Sequence, residues 1–207
     1  MREAAKALGR ALATVAAVPA LASFFIRSLV LGPDRALEGS AQVLSLIPGL
    51  PGQFLRRAFL ARVLARCDRT AVIQFGTLFS HSGARLDENV YVGPYCHVGF
   101  VHLERDVLLG PGVHIPSGPG AHGVADVDRP IRDQPGIRVE VTVGQGTWIG
   151  AGAIVLANVG AHAVVGAGAV VANPIPDYAI AVGVPARVVR DRRQPASASA
   201  PEIQGRE

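Results

Sequence analysis

His122 stands near the start of a polar stretch, Ala121–Gly136, that reads Ala-His-Gly-Val-Ala-Asp-Val-Asp-Arg-Pro-Ile-Arg-Asp-Gln-Pro-Gly. An imidazole titrates at about 6.5 when unperturbed. It can therefore take a proton from a hydroxyl as that oxygen attacks a carbonyl carbon. Gly120 and Gly123 flank the histidine and would let a backbone or a ligand approach it closely. Asp126, Asp128 and Asp133 lie in the same stretch, and each has the chemistry to orient the ring; spacing does not choose among them. His114 is the nearest competing base and a candidate for lining a substrate site. His81, His97 and His102 form a second set, whose three imidazoles would suit a zinc site with one position open for water. Cys67 and Cys96 are too few and too isolated for a disulfide framework or a cysteine zinc site, and they fit a reducing compartment.

The elements that must hold these groups are repetitive. Aliphatic residues recur at six-residue intervals through Ile73 and Phe79; Leu86, Val92 and Val98; Leu103, Leu109 and Ile115; Val143, Ile149 and Val155; and Val159, Val165 and Val171. The next residue is often glycine (Gly93, Gly110, Gly144, Gly150), and the fifth is small (Cys96, Thr147, Ala153, Ala169). Six residues suffice for one short strand and one sharp corner, with alternate side chains pointing inward. Three such units close one coil of a triangular prism, and stacked coils bury each other's apolar rows. The glycines are expected to supply the permissive backbone of the corners. Slips in the count, 98 to 103 and 155 to 159, read as shortened corners. Hexads 115–120 and 137–142 bracket the stretch 121–136, so the loop leaves the wall and returns in register. Aromatics make up only 5% of the chain, which suits thin layers of small side chains.

Residues 1–66 hold nine Lys and Arg against three acids, a balance of +6 that leaves −2 on the rest of the chain. Ala11–Ile26 is nearly all apolar, short for a membrane span, and also mimics a secretory signal. Gln53–Arg66 reads as a basic amphipathic helix. It suits either a membrane interface or a cap over the first coil. The organisation expected is a helical, membrane-leaning region 1–70, a prism 71–190 with its loop 121–136, and a disordered tail 191–207.

The run "VGQGTWIGAGAIVLANVGAHAVVGAGAVV" followed by "NPIPDYAIAVGVPARVVR" resembles the hexapeptide-repeat acyltransferases, especially their galactoside, maltose and nodulation-factor O-acetyltransferase branch. The resemblance covers 141–190 strongly and 73–120 well. It implies a mainly β fold, a left-handed parallel β-helix, and a homotrimer with sites between subunits. It also implies acetyl-CoA as co-substrate, no metal, and His122 as the general base in direct transfer to a sugar hydroxyl. The donor would lie along Trp148, Ala151, Ala169, Arg187 and Arg190, with His114 and Trp148 near the acceptor. Ala172-Asn173 departs from the Thr-Lys that such proteins often carry, which puts donor affinity in doubt. The basic, apolar N-terminal region points to an exopolysaccharide or lipid-linked glycan precursor as acceptor, and to a cytoplasmic protein peripheral on the inner face of the membrane. No nucleic-acid partner is expected, and an amino sugar would serve as nucleophile equally well. The competing readings are a zinc hydrolyase like the gamma-class carbonic anhydrases, which share this fold, and a non-enzymatic membrane-docked scaffold.

Overall fold

The computed structural model describes residues 2–194, with side chains from Ala7 onward; most of the expected tail, 195–207, lies outside them. Four helices come first: α1 (Arg2–Ala16), α2 (Val18–Leu31), α3 (Pro33–Ser45) and α4 (Gly49–Val63). Pro19 sits in the first turn of α2, where a missing N–H costs no helical bond. Gly32, at φ 81°, ends α2, and Pro33 opens α3 so that the two fold back on each other. Ala13, Ala17, Leu21 and Phe24 face inward, and Phe24 meets Phe59 edge-to-face at 5.9 Å.

The coils follow. Coil one is β1 (Arg66–Cys67), β2 (Val72–Ile73) and β3 (Leu78–Phe79); coil two is β4 (Arg85–Leu86), β5 (Tyr91–Val92) and β6 (His97–Val98). Coil three is β7 (Val101–Leu103), β8 (Leu108–Leu109) and β9 (His114–Ile115); coil four is β10 (Val141–Val143), β11 (Trp148–Ile149) and β12 (Ile154–Val155). Coil five keeps β13 (Val164–Val165) and β14 (Val170–Val171), and the chain ends in β15 (Ala179–Val182) and β16 (Arg187–Asp191). The strands pair in parallel into three sheets: A (β1-β4-β7-β10), B (β2-β5-β8-β11-β13-β15-β16) and C (β3-β6-β9-β12-β14). Only β16 runs antiparallel, on β15. The result is a left-handed β-helix of about six turns. The slip from Val155 to Val159 reduces sheet A to single bridges, Val143 to Val159 and Val159 to Ile175.

The predicted inward row is the core: Leu86, Val92, Val98, Leu103, Leu109, Ile115, Ile149 and Val165 are fully buried. Each such side chain contributes about 1.5–3 kcal/mol. Fifth-position hydroxyls also face inward and bridge coils; Thr77 donates to the Gly93 carbonyl at 2.7 Å, and Thr147 to that of Gly160 at 2.7 Å.

The glycines do a different job from the one expected. Where a corner is left-handed, the residue that turns it is the fourth of its hexad, whatever its type: Asn89, Tyr95, Asp106, Gly146, Gly152 and His162 all have positive φ. The second-position glycines do not. They are needed because the next coil passes too close for a side chain. A Cβ on Gly150 would lie 2.5 Å from the Ala167 nitrogen, and one on Gly144 2.5 Å from that of Ala161.

Of the two readings for 53–66, α4 shows the capping one. Phe59 and Leu60 are buried against the first coil, and Arg56, one of the cations of that basic amphipathic pattern, is only 2% exposed. It donates to the carbonyls of Ile73 (3.1 Å), Leu44 (3.1 Å) and Ile47 (2.7 Å), so the cation closes carbonyls that the helix end and the coil edge leave open.

Candidate active site

The wall breaks after β9 and resumes at β10. Ile137, expected as an inward hexad residue, is instead 73% exposed; the inward positions are Val141 and Val143. Residues between form an arm whose two limbs pair at a neck, Val139 N–H to Ser117 O at 3.0 Å and Ile137 N–H to Gly120 O at 2.7 Å. The tip beyond the last rung is 121–136. Backbone does approach Gly123, as its sequence position allowed, and it comes from the returning limb: a Cβ there would lie 2.6 Å from the Pro135 oxygen. Gly136 is tighter still, 2.1 Å from the Ala121 oxygen.

One side chain braces the tip. Gln134, the only buried residue of 121–136, donates to the carbonyls of Asp126 (2.7 Å) and Arg129 (2.8 Å) and accepts from the Asp126 N–H (3.1 Å). Sequence reasoning missed it, although a lone amide in a polar loop is the kind of side chain that can close a turn on itself. The roots are pinned by ion pairs. Arg85 grips Glu140 through Nε (3.1 Å) and Nη2 (2.6 Å). Arg138 reaches Asp34 at 3.3 Å, and Asp34 also accepts from the Ser82 N–H and hydroxyl at 2.8 Å each. The helical cap therefore touches the arm that carries His122.

The six histidines divide sharply. His81 stacks on Phe100 at 4.4 Å, and its Nδ1 accepts from the Gly83 N–H. His97 and His114 sit edge-to-face at 6.1 Å on sheet C. Burial, and then its neighbour His114, hold His97 below the usual imidazole range. His102 meets Asp87 at 3.0 Å, and His162 stacks on Tyr178 at 5.1 Å. His122 is exposed, and no described side chain engages its ring. Within one chain two of the three arm aspartates are occupied elsewhere: Asp126 accepts from the Asp128 N–H, and Asp133 lies 3.8 Å from Arg132. Among the described residues no group of three or more ligating side chains gathers to hold a metal, so the zinc reading gains no support.

The residues expected at the donor share one face. Trp148, 52% exposed, stands on sheet B in register between Leu108 and Val164. Ala151 is exposed at the following corner, and Arg187 and Arg190 are exposed on β16 of the same sheet. Ala169 differs. It is fully buried, with its N–H given to Gly166 O and its carbonyl accepting from Ile154 N–H, so it offers a ligand no free group. His114 is exposed on sheet C, beside the arm's origin. One chain thus lets the arm out between sheets C and A, whereas the donor row lies on sheet B. Burial pushes the Cys67 thiol up to about 12 and the Cys96 thiol to about 11, so neither is a thiolate nucleophile at neutral pH.

No family model matches the chain. It is 45% identical over 81 residues to a probable acetyltransferase of Mycobacterium tuberculosis, a match covering 38% of this chain and 27% of that protein. It is 43% identical over 89 residues to the serine acetyltransferase of Haemophilus influenzae, covering 42% and 28%. The matched segment thus spans little more than a quarter of either relative. The fold is similar to that of a maltose O-acetyltransferase from Clostridium difficile 630, with a TM-score of 0.64 at 21% identity, covering 76% of this chain and 87% of that one. The stacked six-residue coils and the likeness to solved structures give the chain the left-handed β-helix fold of hexapeptide-repeat acetyltransferases, and part of it is similar in sequence to two acetyltransferases.

Proposed function

We propose that this protein transfers an acyl group, acetyl in the simplest case, from coenzyme A to a hydroxyl of a sugar, with His122 as general base. The observation that carries the reading is the isolation of that ring: five histidines are engaged by neighbouring side chains, and the sixth is held out, unengaged, on a braced arm. The neutral imidazole takes the hydroxyl proton as the acceptor oxygen attacks the thioester carbon. The tetrahedral intermediate collapses, the acyl–sulfur bond breaks, and the imidazolium returns the proton to the departing thiolate. Backbone N–H groups of a neighbouring coil would stabilise the oxyanion. The raised thiol pKa values disfavour an acyl-cysteine detour.

The site is shared between copies. With the arm let out between sheets C and A and the donor row on sheet B, the arm of one protomer would meet Trp148, Arg187 and Arg190 of the next, as a closed ring of three permits. The guanidinium groups suit the phosphates of coenzyme A, and the exposed indole suits its pantetheine arm. The acceptor class that fits the basic N-terminal region is an exopolysaccharide or lipid-linked glycan precursor.

The test is thiol release from acetyl-CoA across a panel of sugar acceptors, with His122→Ala beside the wild type and sedimentation equilibrium for the trimer. Acceptor-dependent release that the variant loses while keeping its melting temperature supports the reading. Equal release by both proteins removes His122 as the base, and silence of both across the panel favours a scaffold.

A further inference from the structure

The outer face of the helical cap is not finished as a water-facing surface. Leu8, Leu12, Val15, Val18, Ala22, Phe25 and Leu29 follow one another at three- or four-residue steps, so they form a single stripe running from α1 onto α2 across a 45° bend. Leu29 and Val30 are 87% and 84% exposed. The opposite face is spent on the core through Ala13, Ala17, Leu21 and Phe24, which lays the pair along the cap instead of freeing it. Among the described residues no single helix is long and apolar enough to cross a membrane; the bent pair Ala7–Ala16 and Val18–Leu31 passes only when taken together.

Two further features adjoin the stripe. Leu12 and Ala16 of α1 and Leu50, Phe54 and Leu55 of α4 line an apolar groove of about 400 Å³. Phe54 separates that groove from a hollow lined by Arg10, Arg57 and Arg69, and Arg10, Arg57 and Arg62 line another beside it. Arg57 is only 9% exposed, yet no described side chain pairs with it; burial and the like charges of Arg10 and Arg62 hold it below the usual guanidinium range. The Nε of Arg10 is buried with no hydrogen-bond partner among the described residues. The buried Arg57 and the half-buried Arg10 line the same hollows, and with Asp68 the only carboxylate among the described residues acting on Arg57, this cluster of cations is suited to an anion from outside the chain.

We infer that the α1–α2 face docks on a bilayer containing anionic phospholipid, with lipid phosphate seated at Arg10 and Arg57 and the Leu8–Leu29 stripe dipped into the acyl boundary. The balance of +6 over residues 1–66 has the sign this requires. An apolar stripe beside a cationic rim is the pattern of an interfacial helix. The surface differs from the Gln53–Arg66 helix that sequence pointed to, because α4 is turned onto the coils. The inference does not depend on acyl transfer.

The experiment is co-sedimentation of the full chain with phosphatidylcholine vesicles, with and without phosphatidylglycerol, at low and high salt. Wild type is expected to pellet with the mixed vesicles, less so at high salt. Arg10→Glu and Arg62→Glu should each weaken that partitioning by about fivefold or more. Leu29→Ser with Val30→Ser, at positions too exposed to threaten the fold, should return the protein to the supernatant; thermal melts verify folding of every variant. Equal recovery in the supernatant with all vesicles overturns the proposal, as does pelleting that the double serine variant leaves unchanged. A wild type that ignores vesicles and forms an assembly dissolved by Leu29→Ser with Val30→Ser assigns the face to a second copy of this chain, and also overturns it.

Discussion

The prism wall and the arm are built from opposite materials, and the contrast separates stability from chemistry. In the wall each apolar side chain is stacked on its equivalent one coil away, and glycines keep backbones within contact of each other. Removing an atom there leaves a cavity, and adding one forces coils apart. The arm has Val124, Val127, Ile131 and Ile137 in the open, no core of its own, and a single buried brace in Gln134. It borrows rigidity at its neck and roots and keeps its one histidine free. A substitution should therefore move either the melting temperature or the turnover, depending on which region it falls in.

The largest test of that division is His122→Ala: turnover should fall by about 100- to 10,000-fold, the range for losing a general base, with the melt unchanged. A drop in melting temperature would mean that the ring is structural. Leu86→Ala, in the wall, should cost about 2–5 kcal/mol of unfolding free energy by denaturant titration, with the catalytic rate of the surviving folded fraction unaffected. Gly150→Ala should cost about 1–3 kcal/mol, because its new methyl meets the backbone of the next coil and not a movable side chain. Alanine at Gly152, a corner with open space around it, would be destabilising through positive φ alone, so comparing the two by melting separates crowding from conformation.

Gln134→Ala is the finest probe of the arm. It should lower turnover about tenfold through misplacement of His122, with little change in melting and a restoring effect from Gln134→Asn only if the shorter amide reaches the same carbonyls. The smallest effect expected is on pH dependence. Burial depresses the His97 pKa below 6.5, so as pH falls through that value the unfolded chain takes up a proton that the folded chain refuses. Stability should decline over that acid window, and His97→Gln should flatten the decline in melts taken at successive pH values.

Much of this was written in the sequence. A six-residue apolar count needs no tertiary information, because alternation along a strand fixes which side chains point inward, and the row from Leu86 to Val171 is the buried row. The interruption at Ala121 was equally legible, since a polar run with two prolines cannot stay in such a wall. Three things were not. The hexad glycines take their reason from a coil sixteen or so residues away, as Gly150 does from Ala167. The direction of α4 depends on the open edge of the first coil, which an amphipathic pattern cannot distinguish from a lipid surface. The contrast among the six imidazoles depends on partners brought by other coils, Phe100 for His81 and Asp87 for His102. Local residue order determined the column and the arm, because strand alternation and corner length are properties of consecutive residues. Tertiary structure alone decided which ring is free and which helix face is bare, because a side chain's environment is set by neighbours that the chain brings back from a distance.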